Sequence, residues 1–160
     1  MFKKSFTVTP VDLYAPIPKC ERGSRLSLDI SQSRKILAYP SGNLIVLRQL
    51  PEFSPCEVLQ DHRKTVTAVR FSPSSALLAS GDESGIIKIW DLSSKKEPDT
   101  IDMLSTPIIE MCWGDEENLI VSTSGKGMLM MPINIKKKSV AGSMLHHTQK
   151  VACCDCTHTA

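Results

Sequence analysis

The sequence predicts an all-β fold assembled from repeated four-stranded units, and three observations predict it. Short runs rich in β-branched residues recur along the 160 residues, bounded by Gly, Pro and Ser. Almost no segment carries the i, i+3, i+4, i+7 stripe of an amphipathic helix. The chain also matches itself. Val66, Val69 and Phe71 correspond to Ile108, Met111 and Trp113 at an offset of 42, and to Val151, Cys154 and Cys156 at an offset of 85. A period of about 40–45 residues suits one blade of a β-propeller, and neither heptads nor tetratricopeptide-type periods fit these offsets.

Taken in order, residues 1–24 form a lead-in and residues 25–160 a partial propeller. The lead-in opens with Lys3 and Lys4 but has no apolar core of signal-peptide length. The first blade covers about 25–60. Its Leu37-Ala38-Tyr39 corresponds to Leu78-Ala79-Ser80, and Ser41-Gly42, leading into Asn43–Leu47, corresponds to Ser84-Gly85, leading into Ile86–Trp90. The second blade covers about 65–104 and is the best specified. His62 precedes the pair Trp90-Asp91 by 28 residues, with two strand-like runs and a tight Gly turn between them. The third covers about 107–145, with Leu119-Ile120-Val121-Ser122 matching Leu77-Leu78-Ala79-Ser80 at an offset of 42. At the Trp-Asp place it holds Pro132-Ile133, and the first blade holds Leu47-Arg48. Asp115-Glu116-Glu117 reads as a solvated acidic turn. A fourth blade opens at about 150 and reaches 160 within or just after its first strand. Closed rings typically need about 4–8 blades. The chain therefore reads as the N-terminal part of a longer protein, expected to aggregate or associate through its open strand edges.

Composition narrows the function. Hydrophobic residues make up 41% and charged residues 22%, close to soluble globular averages. A formal net charge of +2 gives no case for nucleic acid or a membrane surface as partner. Lys95-Lys96 and Lys136-Lys137-Lys138 read as solvated turns. No apolar run approaches the ~20 residues that cross a bilayer. The six cysteines are irregularly spaced, which suits a reduced, cytoplasmic protein better than a disulfide scaffold. The tail residues His146, His147, Cys153, Cys154, Cys156 and His158 lack the paired spacing of a structural zinc site, and the repeat places Cys154 and Cys156 at core-strand positions. Ser124-Gly125-Lys126-Gly127 lacks the flanking residues of a phosphate loop. No nucleophile–base or paired-carboxylate arrangement stands out, so no enzyme and no cofactor is expected.

The unit from Asp61 to Asp91 resembles a WD40 repeat. In that repeat a His, a Ser or Thr, a turn Asp and the Trp form a hydrogen-bonded chain, and the matching residues are His62, Ser80 and Trp90, with Asp91 completing the Trp-Asp pair. The turn position falls on Ser84. Losing the acceptor that orients the imidazole is expected to weaken the network, with Asp82 as the alternative acceptor.

Further residues resemble one WD40 family. Glu21-Arg22-Gly23, LAYPSGNLIVLRQL (Leu37–Leu50), ASGDESGIIKIWD (Ala79–Asp91) and IIEMCW (Ile108–Trp113) are similar to the start of the actin-interacting protein 1 family. The similarity spans about residues 20–155. It implies a protein-binding propeller that engages actin filaments decorated with cofilin and promotes their disassembly, hence a cytoplasmic, cytoskeleton-associated protein. Partner contact is expected from loops converging on one face of the propeller, which offer Arg63, Lys64, Glu83 and Lys126. The alternatives are another WD40 scaffold such as a ubiquitin-ligase substrate receptor, a metal- or redox-responsive tail, or a truncated product without function. Trp90-Asp91-Leu92-Ser93 lacks the Arg often found in such receptors.

Overall fold

In a computed structural model, residues 27–52, 55–94, 96–124, 129–142 and 145–146 are described. They contain thirteen strands: β1 (Asp29–Ser31), β2 (Ile36–Ser41), β3 (Leu44–Gln49), β4 (Cys56–Gln60), β5 (Val66–Phe71), β6 (Leu77–Asp82), β7 (Ile87–Asp91), β8 (Asp99–Ile101), β9 (Ile108–Trp113), β10 (Asn118–Thr123), β11 (Leu129–Asn134), β12 (Ser139–Val140) and β13 (Leu145–His146). They make three antiparallel sheets in which consecutive strands are neighbours, β1–β4, β5–β8 and β9–β12, with β13 also paired to β11. Each sheet is one blade of an unclosed propeller. The expected lead-in and the start of a fourth blade lie outside the described residues.

The sequence builds each blade from hairpins. Gly42 and Gly85 occupy the turns joining the second and third strands of the first two blades, with φ of 62° and 92°. Such conformations strain any residue with a Cβ. Strand alternation then gives every blade two faces, and both can be apolar because a neighbouring blade covers each. We call the face toward the preceding blade leading and the other trailing. Ala38, Ile45 and Leu47, on the trailing face of the first blade, meet Val66, Val69, Phe71, Leu78 and Trp90 on the leading face of the second. Ala68, Ala79, Ile87 and Ile89, on its trailing face, meet Met111, Trp113, Leu119, Val121 and Ile133 of the third. Each fully buried side chain of this size contributes about 1.5–3 kcal/mol, so these two seams dominate the stability of the described fold.

Polar bonds across the seams act on the innermost strands, whose free edges would otherwise leave amides unpaired. Ser27 Oγ accepts from Val69 N (3.1 Å) and Asp29 Oδ2 from Phe71 N (2.8 Å). Trp113 Nε1 donates to Arg70 O (3.0 Å), and the Arg70 guanidinium pairs with the buried Glu110 at 2.8 Å. The acidic turn does more than meet solvent. Asp115 accepts from the amides of Glu117 and Asn118, and Glu116 takes both Ser74 N (2.5 Å) and Ser74 Oγ (3.0 Å) of the second blade. Glu117 pairs with Lys136, and Lys138 with Asp99.

Strand register corrects the repeat alignment on the third strands of two blades. Phe71 faces Leu78, which faces Trp90; in the third blade the same ladder reads Trp113, Leu119, Ile133. Ile133, fully buried, therefore holds the place of Trp90, and half-buried Pro132 lies on the opposite face. In the first blade the ladder is Ile30, Leu37, Arg48, so Arg48 holds that place and Leu47 points to the trailing seam. Compared with the second blade, the third has a connection one residue shorter between its first two strands and two residues longer between its second and third, a net slip of one, and one residue reverses the face of a strand. Pro132 also coincides with the break between β12 and β13, since a residue without N–H cannot support a continuous outer ladder.

Gly85 packs against the connection into the third blade: a Cβ there would lie 2.4 Å from Leu104 O and 2.8 Å from Thr106 O, both rigid backbone atoms. At Gly42 a Cβ meets nothing within 4 Å. Gly85→Ala is expected to cost at least about 2–3 kcal/mol and Gly42→Ala about 1 kcal/mol, read from denaturant midpoints at unchanged slope.

Candidate functional site

Four buried side chains of the second blade form one directed chain. Trp90 Nε1 donates to Ser80 Oγ (2.8 Å), and Ser80 Oγ lies 2.8 Å from His62 Nε2. On the other side of the ring, His62 Nδ1 lies 2.8 Å from Asp82 Oδ2. A neutral imidazole with its proton on Nδ1 satisfies every atom: Nδ1–H donates to the carboxylate and Nε2 accepts from the Ser80 hydroxyl. Asp82 Oδ1 in turn accepts from Ser84 N (2.9 Å), Ser84 Oγ (2.6 Å) and Ile86 N (3.1 Å), which fixes the β6–β7 turn.

This arrangement corrects the expectation of a weakened network. Ser84 at the turn removes no acceptor, because Asp82 at the end of β6 supplies it and Ser84 becomes one of its donors. Asp82 is the alternative acceptor that the sequence offered; it lies two residues after Ser80, and strand alternation puts both on one face. Asp91 stands outside the chain. It follows Trp90 and so turns to the opposite face, exposed, where its Oδ1 accepts from Ser93 N at 2.8 Å. That bond holds its carboxyl below the ordinary range. The first blade keeps one link of the chain in other residues: Arg48 Nε donates to Tyr39 OH at 3.0 Å. In the third blade the corresponding Ile133 and Val121 are wholly apolar and buried.

Burial lowers the pKa of His62 below its ordinary 6.5, outweighing the opposing bond to Asp82. Burial pushes Asp82 upward, but the bonds from Ser84, His62 and Ile86 outweigh it and leave its pKa below 3.8. The site is built to keep a neutral ring and an ionised carboxylate.

The chain anchors one end of the blade. Glu83 N donates to Thr65 O (3.0 Å), Asn43 Nδ2 to His62 O (3.1 Å) and Val66 N to Gly42 O (2.8 Å). Buried Lys88 pairs with Asp61 and donates to Thr100 Oγ1 at 3.2 Å. On this pinned frame Arg63 and Lys64, before β5, and Glu83, in the β6–β7 turn, are exposed. The structure thus places these three at one end of the second blade, while Lys126 lies outside the described residues. Among the described residues no group of His, Cys, Asp and Glu is placed to hold a metal, and the tail positions from His147 onward lie outside them.

Two consequences are measurable. Ser80→Ala leaves Trp90 Nε1–H and His62 Nε2 buried without a partner and is expected to cost about 2–4 kcal/mol, against about 1 kcal/mol for Ser84→Ala, by equilibrium denaturation. Because the folded pKa of His62 lies below the unfolded value, the unfolded chain binds the extra proton. The contribution of His62 is complete above about pH 6.5 and declines as pH falls below it. Denaturant midpoints measured from about pH 7.5 to 5.5 should fall more steeply for the native sequence than for His62→Gln.

Comparisons with known proteins agree with this geometry. The family described as WD domain, G-beta repeat matches residues 53–91. Actin-interacting protein 1 of Drosophila melanogaster is 30% identical over 72% of the chain and 19% of its own length. Actin-interacting protein 1-2 of Arabidopsis thaliana is 27% identical over 89% of the chain and 24% of its own length. The 66 kDa stress protein of Physarum polycephalum is 28% identical over 89% of the chain and 24% of its own length. The chain thus spans about a fifth to a quarter of the length of these curated relatives. A solved chain from a mitotic checkpoint complex superposes with a TM-score of 0.66 over 89% of this chain and 49% of its own length, at 17% identity, which speaks to the fold alone. With the repeat match falling on the blade that carries the His62–Ser80–Trp90 chain, this is a WD40-repeat β-propeller chain that resembles actin-interacting protein 1.

Proposed function

We propose that this WD40 interaction module contacts actin filaments, in concert with cofilin, through the end of the blade that carries Arg63, Lys64 and Glu83. The observation that carries the reading is the coincidence of these exposed charges with loops tied down by several hydrogen bonds and an ion pair. Recognition at low entropic cost needs side chains mounted on backbone that is already fixed. Here the Asp82 turn bonds, the Lys88–Asp61 pair and the Glu83–Thr65 bond fix it. Similarity to proteins named for their interaction with actin supports the choice of partner. The role is binding rather than catalysis, because the buried His62, Ser80 and Asp82 satisfy one another and offer no group to a substrate. Promotion of filament disassembly, and a cytoskeleton-associated place in the cytoplasm, are part of the same proposal.

Co-sedimentation with actin filaments, with and without cofilin, tests it, using both this chain and a longer form containing it. The longer form is expected to pellet with cofilin-decorated filaments, and the double variant Arg63→Glu/Lys64→Glu to lose about tenfold in affinity, as charge reversal at an interface does. Absence from the pellet under both conditions overturns the actin assignment. Full binding by the charge-reversed form overturns the choice of surface.

A further inference from the structure

We infer that Ser93 is a phosphorylation site, and that the guanidinium of Arg34, reaching over from the neighbouring blade, receives the phosphoryl group and locks the seam between the first two blades. Ser93 lies exposed in the connection between β7 and β8. Arg34 lies in the turn between β1 and β2, and its Nη2 donates to Ser93 Oγ at 3.0 Å. The two residues belong to different sheets. Both turns stand at the end of the blades opposite His62, because β1 and β7 each run away from the end that carries the His62 chain.

Both partners are mounted on fixed backbone. Arg34 N donates to Ser31 Oγ (3.1 Å), Gln49 Nε2 to Arg34 O (3.1 Å) and Leu50 N to Lys35 O (2.7 Å). On the other side Ser93 N donates to Asp91 Oδ1 (2.8 Å) and Leu92 N to Ala76 O (3.1 Å). Ile36, two residues after Arg34, and Leu92, next to Ser93, both pack against the apolar cluster of this seam. A stronger bond between Arg34 and residue 93 therefore acts directly on the contact between the two sheets.

Charge singles out Ser93. Its own connection sets Lys95 and Lys96 against Asp91 and Glu97, so those charges cancel and the turn of Arg34 and Lys35 supplies the positive surplus. Ser74, another exposed serine in a turn at the same end, donates instead to Glu116 (3.0 Å), where a phosphate would meet a carboxylate. Among the described residues no carboxylate forms an ion pair with Arg34. A phosphoserine carries about −1.5 to −2 charges at pH 7 on three acceptor oxygens, which the guanidinium fork can take through two parallel bonds. In the transfer, Ser93 Oγ attacks the γ-phosphorus of a nucleoside triphosphate bound to a protein kinase. The new Oγ–P bond forms as the bond from that phosphorus to the bridging oxygen breaks; the nucleoside diphosphate leaves and the hydroxyl proton passes to a base of the kinase. Lys95 and Lys96, directly after the two serines, suit a kinase with an acidic peptide groove. This inference rests on the fold and is independent of the actin reading.

Three measurements on the full chain test it. Incubation with ATP and protein kinases that select basic residues after the acceptor, followed by mass spectrometry, is expected to place phosphate on Ser93. With phosphoserine installed at position 93 by genetic encoding, the unfolding equilibrium constant at fixed denaturant is expected to fall about fivefold, and Arg34→Ala to remove that gain. Phosphorus NMR is expected to show the second pKa of this phosphoserine below its ordinary value of about 6, returning to about 6 in Arg34→Ala. A chain left unmodified at Ser93 by all of these kinases overturns the inference. So does a phosphoserine that leaves stability unchanged or lowers it, a gain that survives Arg34→Ala, or a second pKa that stays at about 6 in the native sequence.

Discussion

A sheet that is apolar on both faces has to be covered twice, and this requirement governs the whole molecule. Antiparallel sheets commonly leave one face to water. Here the second blade leaves neither: Val69, Phe71 and Trp90 press on the first blade while Ala79, Ile87 and Ile89 press on the third. The blades are therefore not independent domains. Stability in such an array is close to a sum of units and nearest-neighbour seams. The cross-seam bonds of Asp29, Trp113 and Glu116 add register to an attraction that is otherwise without direction.

The buried polar chain works within that frame. An apolar seam tolerates sliding, but an indole N–H, a hydroxyl and an imidazole meeting in sequence do not, because each has a fixed donor or acceptor direction. Ser80 is the pivot, accepting from Trp90 and donating to His62. Because the chain runs from the third strand through the second to the connection before the first, it sets the three strands against each other. The first blade achieves part of this with Arg48 and Tyr39, and the third relies on packing alone. The three blades thus share a shape without sharing a mechanism of polar support.

Much of this was legible in the sequence. The period, the all-β class and the roles of His62, Ser80 and Trp90 follow from residue types at fixed spacing, since side-chain alternation and turn chemistry are local properties. What escaped has a common cause. Assigning Pro132 and Leu47 to the Trp90 place carried an offset across connections of unequal length, and a net difference of one residue is enough to exchange the faces of a strand. Asp91 was grouped with Trp90 because the two adjoin, though neighbours on a strand point apart. The cross-blade partners of Glu116 and Asp29 could not be read at all, because they depend on how two sheets are placed rather than on either sequence alone. The same holds for Lys88, whose partners Asp61 and Thr100 come from separate connections.

The position of Asp82 carries a consequence for how such a surface can change over evolutionary time. The carboxylate that holds the turn sits inside, at the end of a strand, and it engages the turn mostly through backbone amides. The outermost residue of the turn, Glu83, contributes only its own backbone to the scaffold. Its side chain is free to be exchanged with little effect on folding, whereas an acceptor placed in the turn itself would tie any change of specificity to a loss of structure. Selection acting on Glu83, Arg63 and Lys64 can therefore explore new contacts while the machinery beneath them stays constant.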